Sequence, residues 1–212
     1  MNNTIKVAVI GGSGKSGRYL VQQLLKSGFE LKALVRTKEN FKINSPKIVI
    51  VYGDVRDYAT IHSLINGCSI VISTLGGTPL SEPSVFSQAT KNILRAMSEL
   101  NLERYIVITG LNVDTKYDKK GSITQAGTDW MYANFPESTK DRQYEYELLE
   151  ASSIDWTLVR LPLIIMTDEQ QEVKISLEDC LGDSISSTDL ADFLIEQIDS
   201  NLFIKKAPFI AN

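Results

Sequence analysis

The sequence predicts an α/β fold, a doubly wound parallel sheet formed by one domain spanning residues 1–212. Three observations predict it. Short apolar, β-branched runs recur along the chain; segments with helical spacing alternate with them; and a glycine-rich turn joins the first run to the first helical stripe. Runs that are apolar throughout suit strands covered on both faces. Strands alternating with helices imply right-handed crossovers and therefore a parallel sheet.

The elements follow in order. KVAVI at 6–10 is the first expected strand. A helix follows over 18–26, with Leu20, Leu24 and Leu25 on one stripe. ELKALV at 30–35 and KIVIV at 47–51 are the second and third strands. His62 follows 57–61 in what is expected to be the third helix, away from the strand ends. SIVIS at 69–73 makes the fourth strand, and a helix over 85–100 carries Ile93, Leu94, Met97 and Leu100 inward. RYIVI at 104–108 is the fifth strand, 142–151 a helix, and WTLV at 156–159 the sixth strand, with Arg160 at its end reaching either the sheet edge or a ligand. Asp189 opens a last helix over 189–198, where a carboxylate suits the positive end of the dipole. Two stretches break the rhythm. Residues 111–139 read as a long connection carrying Trp130, Tyr132 and Phe135, and 167–182 read as a polar segment with room for a strand at 172–177. A connection that long is usually functional or mobile.

Composition excludes several functions. With 26 acidic and 22 basic residues the net charge is -4, which argues against nucleic acid as a partner. One histidine, His62, rules out sites built from several imidazoles, and no metal site is expected. Two cysteines, Cys68 and Cys180, do not make a disulfide framework. The first apolar run is too short for a secretion signal, and no stretch has the roughly 18 apolar residues of a membrane span. A cytoplasmic protein with no membrane partner is expected.

The most specific motif is Gly11-Gly12-Ser13-Gly14-Lys15-Ser16-Gly17, directly after the first strand and before the first helix. In that place Gly11 permits a tight turn, Gly14 lets the backbone approach a pyrophosphate, and Gly17 lets helix pack on strand. The phosphates then meet free N–H groups and the positive helix end. Gly14-Lys15-Ser16 also ends like a nucleoside-triphosphate loop, but such a loop needs glycine where Val9 stands. Arg36 lies 19 residues after Gly17, at the end of the second strand. An acidic residue there would take a ribose 2′-hydroxyl; an arginine accommodates a 2′-phosphate, so NADP(H) is expected over NAD(H), with Lys38 assisting. Asp54 and Val55 follow the third strand, and Leu75, Gly76 and Gly77 the fourth. Ligands lie beyond the carboxyl ends of such strands, so the first pair is expected beside adenine and the second group along the cofactor's middle.

At this point the chain resembles the atypical short-chain dehydrogenase/reductases of the NAD(P)H-binding, NmrA-like type, in particular their flavin-reductase (biliverdin reductase B) branch. The resemblance rests on VAVIGGSGKSGRYLVQQLLKSGFELKALVR, VYGDV, TLGGTPLSEPSVFSQATKNILRAM, LLEASSIDWTLVRLPLI and ISSTDLADFLI. It implies a Rossmann-type sheet with a small C-terminal substrate region over the cofactor mouth. It implies Gly11, Ser13, Gly14, Lys15 and Ser16 at the pyrophosphate, Arg36 at the 2′-phosphate, and Asp54 and Val55 at adenine. Leu75, Gly76 and Gly77 would line the cofactor, with Pro162 and Leu163 near the nicotinamide. The catalytic positions depart from the family. Arg142 and Ser138 stand where many relatives carry lysine and tyrosine, Gly110 stands where flavin reductases carry serine, and no histidine lies near Leu163. Thr109 and Arg142 remain as catalytic candidates. The expected activity is NADP(H)-dependent reduction of a flavin, quinone or similar planar acceptor, with Trp130, Tyr132 and Phe135 as candidate walls. The alternative is a non-catalytic NADP(H) sensor signalling through a protein partner.

Overall fold

The computed structural model describes residues 5–77 and 84–212. Its strands are β1 (Lys6–Ile10), β2 (Glu30–Val35), β3 (Ile48–Tyr52), β4 (Ile70–Ser73), β5 (Arg104–Gly110), β6 (Asp155–Leu161), β7 (Leu163–Ile165), β8 (Lys174–Ser176), β9 (Ser184–Ser186) and β10 (Phe209–Ala211). Its helices are α1 (Lys15–Lys26), α2 (Tyr58–Ile65), α3 (Val85–Leu100), α4 (Ser122–Asn134), α5 (Pro136–Glu150) and α6 (Ser187–Glu196). The main sheet has the order β3-β2-β1-β4-β5-β6-β10-β8. Strands β1 to β6 are parallel, and only β8 runs antiparallel, against β10. The predicted doubly wound sheet is therefore present, and the strand order reverses between β1 and β4. A ligand crevice opens at such a reversal.

Apolar cores lie on both sheet faces, as continuous strand hydrophobicity requires. Val7, Val9, Ile106 and Ile108 pack with Leu20 and Leu24 of α1 and Leu190 and Leu194 of α6. Ala8, Ile10, Val71 and Val107 face the other way, onto Ile61 and Leu64 of α2, Ile93 and Met97 of α3 and Leu149 of α5. Helix starts obey local chemistry. The Asp57 carboxylate accepts from the Thr60 amide at 3.0 Å to open α2, and the Ser186 hydroxyl accepts from the Asp189 amide at 3.0 Å to open α6.

Several expectations need correction. His62 lies on the second helix, not the third. The long connection at 111–139 is mostly helix, because α4 fills 122–134 and α5 begins at Pro136, well before the expected 142. The physical reason is which residues these helices bury. The inward residues of α4 are Thr124 and Thr128, and those of α5 include Thr139, Asp141, Arg142 and Glu145. Apolar spacing therefore shows only the second half of α5, where Tyr146 and Leu149 turn inward, and misses α4. The strand expected at 172–177 is the shorter β8, and β7, β9 and β10 are three-residue strands with too few residues to show a period.

Candidate functional site

The glycine turn is fixed by the pairing of β1 with β4. Ile10 lies opposite Ser73, so Gly11 lies against Thr74. Gly11 has φ +79°, and a Cβ there would stand 2.6 Å from the Thr74 carbonyl carbon. A Cβ on Gly17 would fall on the Gly11 carbonyl oxygen and within 2.7 Å of the Thr74 hydroxyl. The Gly14 amide donates to the Gly11 carbonyl at 2.8 Å and closes the turn. Gly14 caps α1 without any side-chain bond. The helix therefore presents amides and a positive dipole end with no side-chain cap among the described residues, which fits a pyrophosphate. Ser13 and Ser16 are half-buried beside the turn and Lys15 is exposed.

The adenosine end is built by β2 and β3. Val35 pairs with Tyr52, and the Gly53 amide donates to the Val35 carbonyl at 3.2 Å, which sets the 53–56 turn beside Arg36. Arg36 and Lys38 are exposed. Asp54 is held by Arg56: Nε lies 2.9 Å from Oδ1 and Nη2 3.1 Å from Oδ2, and the Arg56 amide donates to Oδ1 at 2.9 Å. Arg56, and to a lesser degree Arg36, hold the Asp54 carboxyl below the usual carboxylate range. Val55 is buried, and the carbonyls of Val55 and Arg56 both accept from the Asn92 amide of α3 at 3.0 Å. Sequence reading missed Arg56 and Asn92. Asn92 sits among apolar residues of a helical stripe, and an amide in such a stripe was the available signal.

At the carboxyl ends of β4 and β5 the organising residue is Arg142. Its guanidinium donates to the Leu75 carbonyl at 2.6 Å and the Ile108 carbonyl at 3.2 Å, pairs with Glu145 at 2.7 Å and lies 3.4 Å above the Phe86 ring. Glu145 also accepts from Thr90 at 2.9 Å, and Asp141 accepts from the Phe86 amide at 2.8 Å, so α5 fixes the start of α3. Leu75 is half-buried; Gly76 and Gly77 are exposed. Residues 78–83, part of the quoted TLGGTPLSEPSVF segment, lie outside the described residues, as do 1–4. Thr109 is buried, and among the described residues its hydroxyl and the side-chain amide of Asn112, just beyond β5, have no hydrogen-bond partner. Such groups cost about 1–3 kcal/mol each when left unpaired, which marks this strand end as a place for a ligand.

Pro162 is half-buried and Leu163 is 67% exposed where β7 leaves the sheet. Arg160, next to last in β6, turns to protein groups at this end of the sheet. It is fully buried, pairs with Asp118 at 2.7 Å, and donates to the carbonyls of Val113, Leu177 and Ala207. It thereby ties the 111–121 loop to the strand ends around β8 and β10. A second tie joins Lys119 to Glu178 at 2.7 Å. Burial works to raise the Asp179 pKa. Hydrogen bonds from Thr124 and from the Gly121 and Cys180 amides outweigh it and hold the carboxyl low. Asp179 thus lies against the start of α4 from another segment. Gly127 of α4 lies against Leu111, which places α4 next to the carboxyl end of β5. Trp130 and Phe135 stack edge-on at 5.6 Å and stay largely exposed, while Tyr132 is half-buried.

Comparison with known proteins bears on this site. A family model described as NAD(P)H-binding matches residues 11–201. Cinnamoyl-CoA reductase 1 of Petunia hybrida is 25% identical over 166 residues, 71% of this chain and 48% of that protein, so the chain spans about half the length of that relative. A short-chain dehydrogenase/reductase of Veillonella parvula, solved in complex with NADP, superposes with TM-score 0.79 at 13% identity over 98% of this chain and 94% of the other. Anaerobillin reductase ChuY of Escherichia coli O157:H7 superposes with TM-score 0.80 at 14% identity over 97% and 96%. At such identities these structures share the fold.

Proposed function

The chain belongs to the NAD(P)H-binding family, and from that premise we propose that it is an NADP(H)-dependent oxidoreductase reducing a flavin, quinone or similar planar acceptor. The observation that carries the reading is the β1–α1 turn, whose glycines leave room for a pyrophosphate at an uncapped helix end, one strand from an exposed Arg36. Bound NADPH would supply the hydride, so the protein's task is to bind and orient. Gly11, Ser13, Gly14, Lys15 and Ser16 take the pyrophosphate, Arg36 the 2′-phosphate, and Asp54 and Val55 flank adenine. Leu75, Gly76 and Gly77 line the middle, held by Arg142, which acts as a positioning residue because its guanidinium is committed to two main-chain carbonyls and Glu145. An arginine does not release a proton at ordinary pH. Thr109 offers a hydroxyl at the hydride end, and Pro162 and Leu163 border it. Trp130 and Phe135 offer an aromatic wall to a flat acceptor. An electron-poor acceptor of this class can be protonated from water, so a missing acid costs only about 10²–10⁴-fold. Relatives named as reductases support the reaction class.

The test is NADPH oxidation against FMN, riboflavin and a quinone panel. Turnover above the cofactor blank is expected, and Arg36→Ala should abolish the preference for NADPH over NADH. Tight NADPH binding with no turnover on any acceptor would instead favour the second reading, an NADP(H) sensor that signals through a protein partner. The committed guanidinium of Arg142 supports that reading.

A further inference from the structure

An NADP(H) site has an electrostatic problem at its adenosine end. A carboxylate beside the ribose repels a 2′-phosphate and accepts a hydrogen bond from a 2′-hydroxyl, which favours NAD(H). Here Arg36 stands at that ribose position, but the Val35–Tyr52 register brings a carboxylate close to it from the adenine side: Asp54, whose charge interacts with that of Arg36. Asp54 does not turn to Arg36. Both of its oxygens are taken by the fork of Arg56, at 2.9 and 3.1 Å, and the Arg56 amide adds a third bond at 2.9 Å. A two-pronged pair of this kind fixes geometry as well as charge. The turn carrying it is itself held, since Asn92 grips the Val55 and Arg56 carbonyls from α3.

We propose that Arg56 is a specificity-determining residue: by holding the Asp54 carboxylate it cancels a negative charge on the adenine side of Arg36 and leaves Arg36 to a 2′-phosphate. The inference rests on the reading that Arg36 receives that phosphate. Arg56 acts through Asp54, so its effect depends on Asp54 being charged. Removing Arg56 exposes the carboxylate to the phosphate; removing both residues returns the site to neutrality.

The experiment measures Kd for NADPH and NADH by quenching of tryptophan fluorescence in wild type, Arg56→Ala, Asp54→Asn and the double variant. Arg56→Ala is expected to weaken NADPH by about tenfold while NADH holds or tightens, as one unscreened charge at partly exposed sites allows. Asp54→Asn added to Arg56→Ala should recover most of the NADPH affinity. Equal losses for both cofactors would overturn the proposal, because a merely structural turn residue acts on both alike. Failure of the double variant to recover NADPH binding would overturn it too, by making Arg56 a direct phosphate ligand. Arg36→Ala separates the two readings. A wild type that shows no NADPH preference, or keeps one in Arg36→Ala, removes the underlying assignment. A preference lost in Arg36→Ala but kept in Arg56→Ala removes this inference alone.

Discussion

At the scale of single residues, the site is made by contacts that leave no room for alternatives. Gly17 is the clearest, because a Cβ there lands on the Gly11 carbonyl oxygen and crowds Thr74. Gly17→Ala should weaken NADPH binding at least tenfold and destabilise the fold by about 1–3 kcal/mol, read by titration and urea unfolding. Arg142 belongs to the same scale. Arg142→Met leaves Glu145 buried and unpaired and frees two strand-end carbonyls. Breaking a buried pair from one side costs about 3–5 kcal/mol, so the urea midpoint should fall sharply; an unchanged midpoint would argue for a role in the chemistry alone. Burial pushes the Cys68 thiol up to about 11. The folded state keeps the proton that the unfolded chain loses near its ordinary value of 9.0, so this group's contribution to stability is complete below that pH and declines as pH rises toward 11. Cys68 should accordingly resist a disulfide reagent at pH 8 until urea is added.

At the scale of elements, the informative pieces are the two helices whose buried faces are largely polar, α4 and the first half of α5. Helix α4 turns threonines inward and has its first residues held against Asp179, far along the chain. Asp179→Ala should cost about 1 kcal/mol and raise amide exchange in the first turn of α4 while that of α1 stays unchanged. Helix α5 buries ionic groups because it serves as a clamp, with Arg142 on the strand ends and Asp141 on the α3 amides. Periodicity found α1 and α3, whose buried faces are mostly apolar (Leu20, Val21 and Leu24; Phe86, Ala89, Ile93, Ala96 and Met97), for the same reason it missed α4.

At the scale of the whole molecule, the last strand closes the fold. β10 lies between β6 and β8, and Phe209 and Ile210 are fully buried or nearly so. Removing residues 207–212 takes away two large core side chains worth about 1.5–3 kcal/mol each. It also takes away the partner of β8 and the Asn212 side-chain oxygen that accepts from the Ser186 amide at 2.7 Å. The truncated chain should lose its cooperative thermal transition or show it at a much lower temperature. Among the described residues no helix is long and apolar enough to cross a membrane.

The sequence by itself determined the parallel sheet, the glycine turn and the cofactor class. Strand hydrophobicity is continuous wherever both faces are covered, and the turn needs glycine wherever backbone meets backbone, so both are written in adjacent residues. Only the tertiary structure decided that 122–134 is helix α4 and that α5 begins at Pro136, where Arg160 points, and that Arg56 holds Asp54 while Asn92 holds their turn. Those are pairings between polar groups, most of them far apart in the chain. A polar side chain carries no periodic signal, and its partner is named only when folding brings the two together.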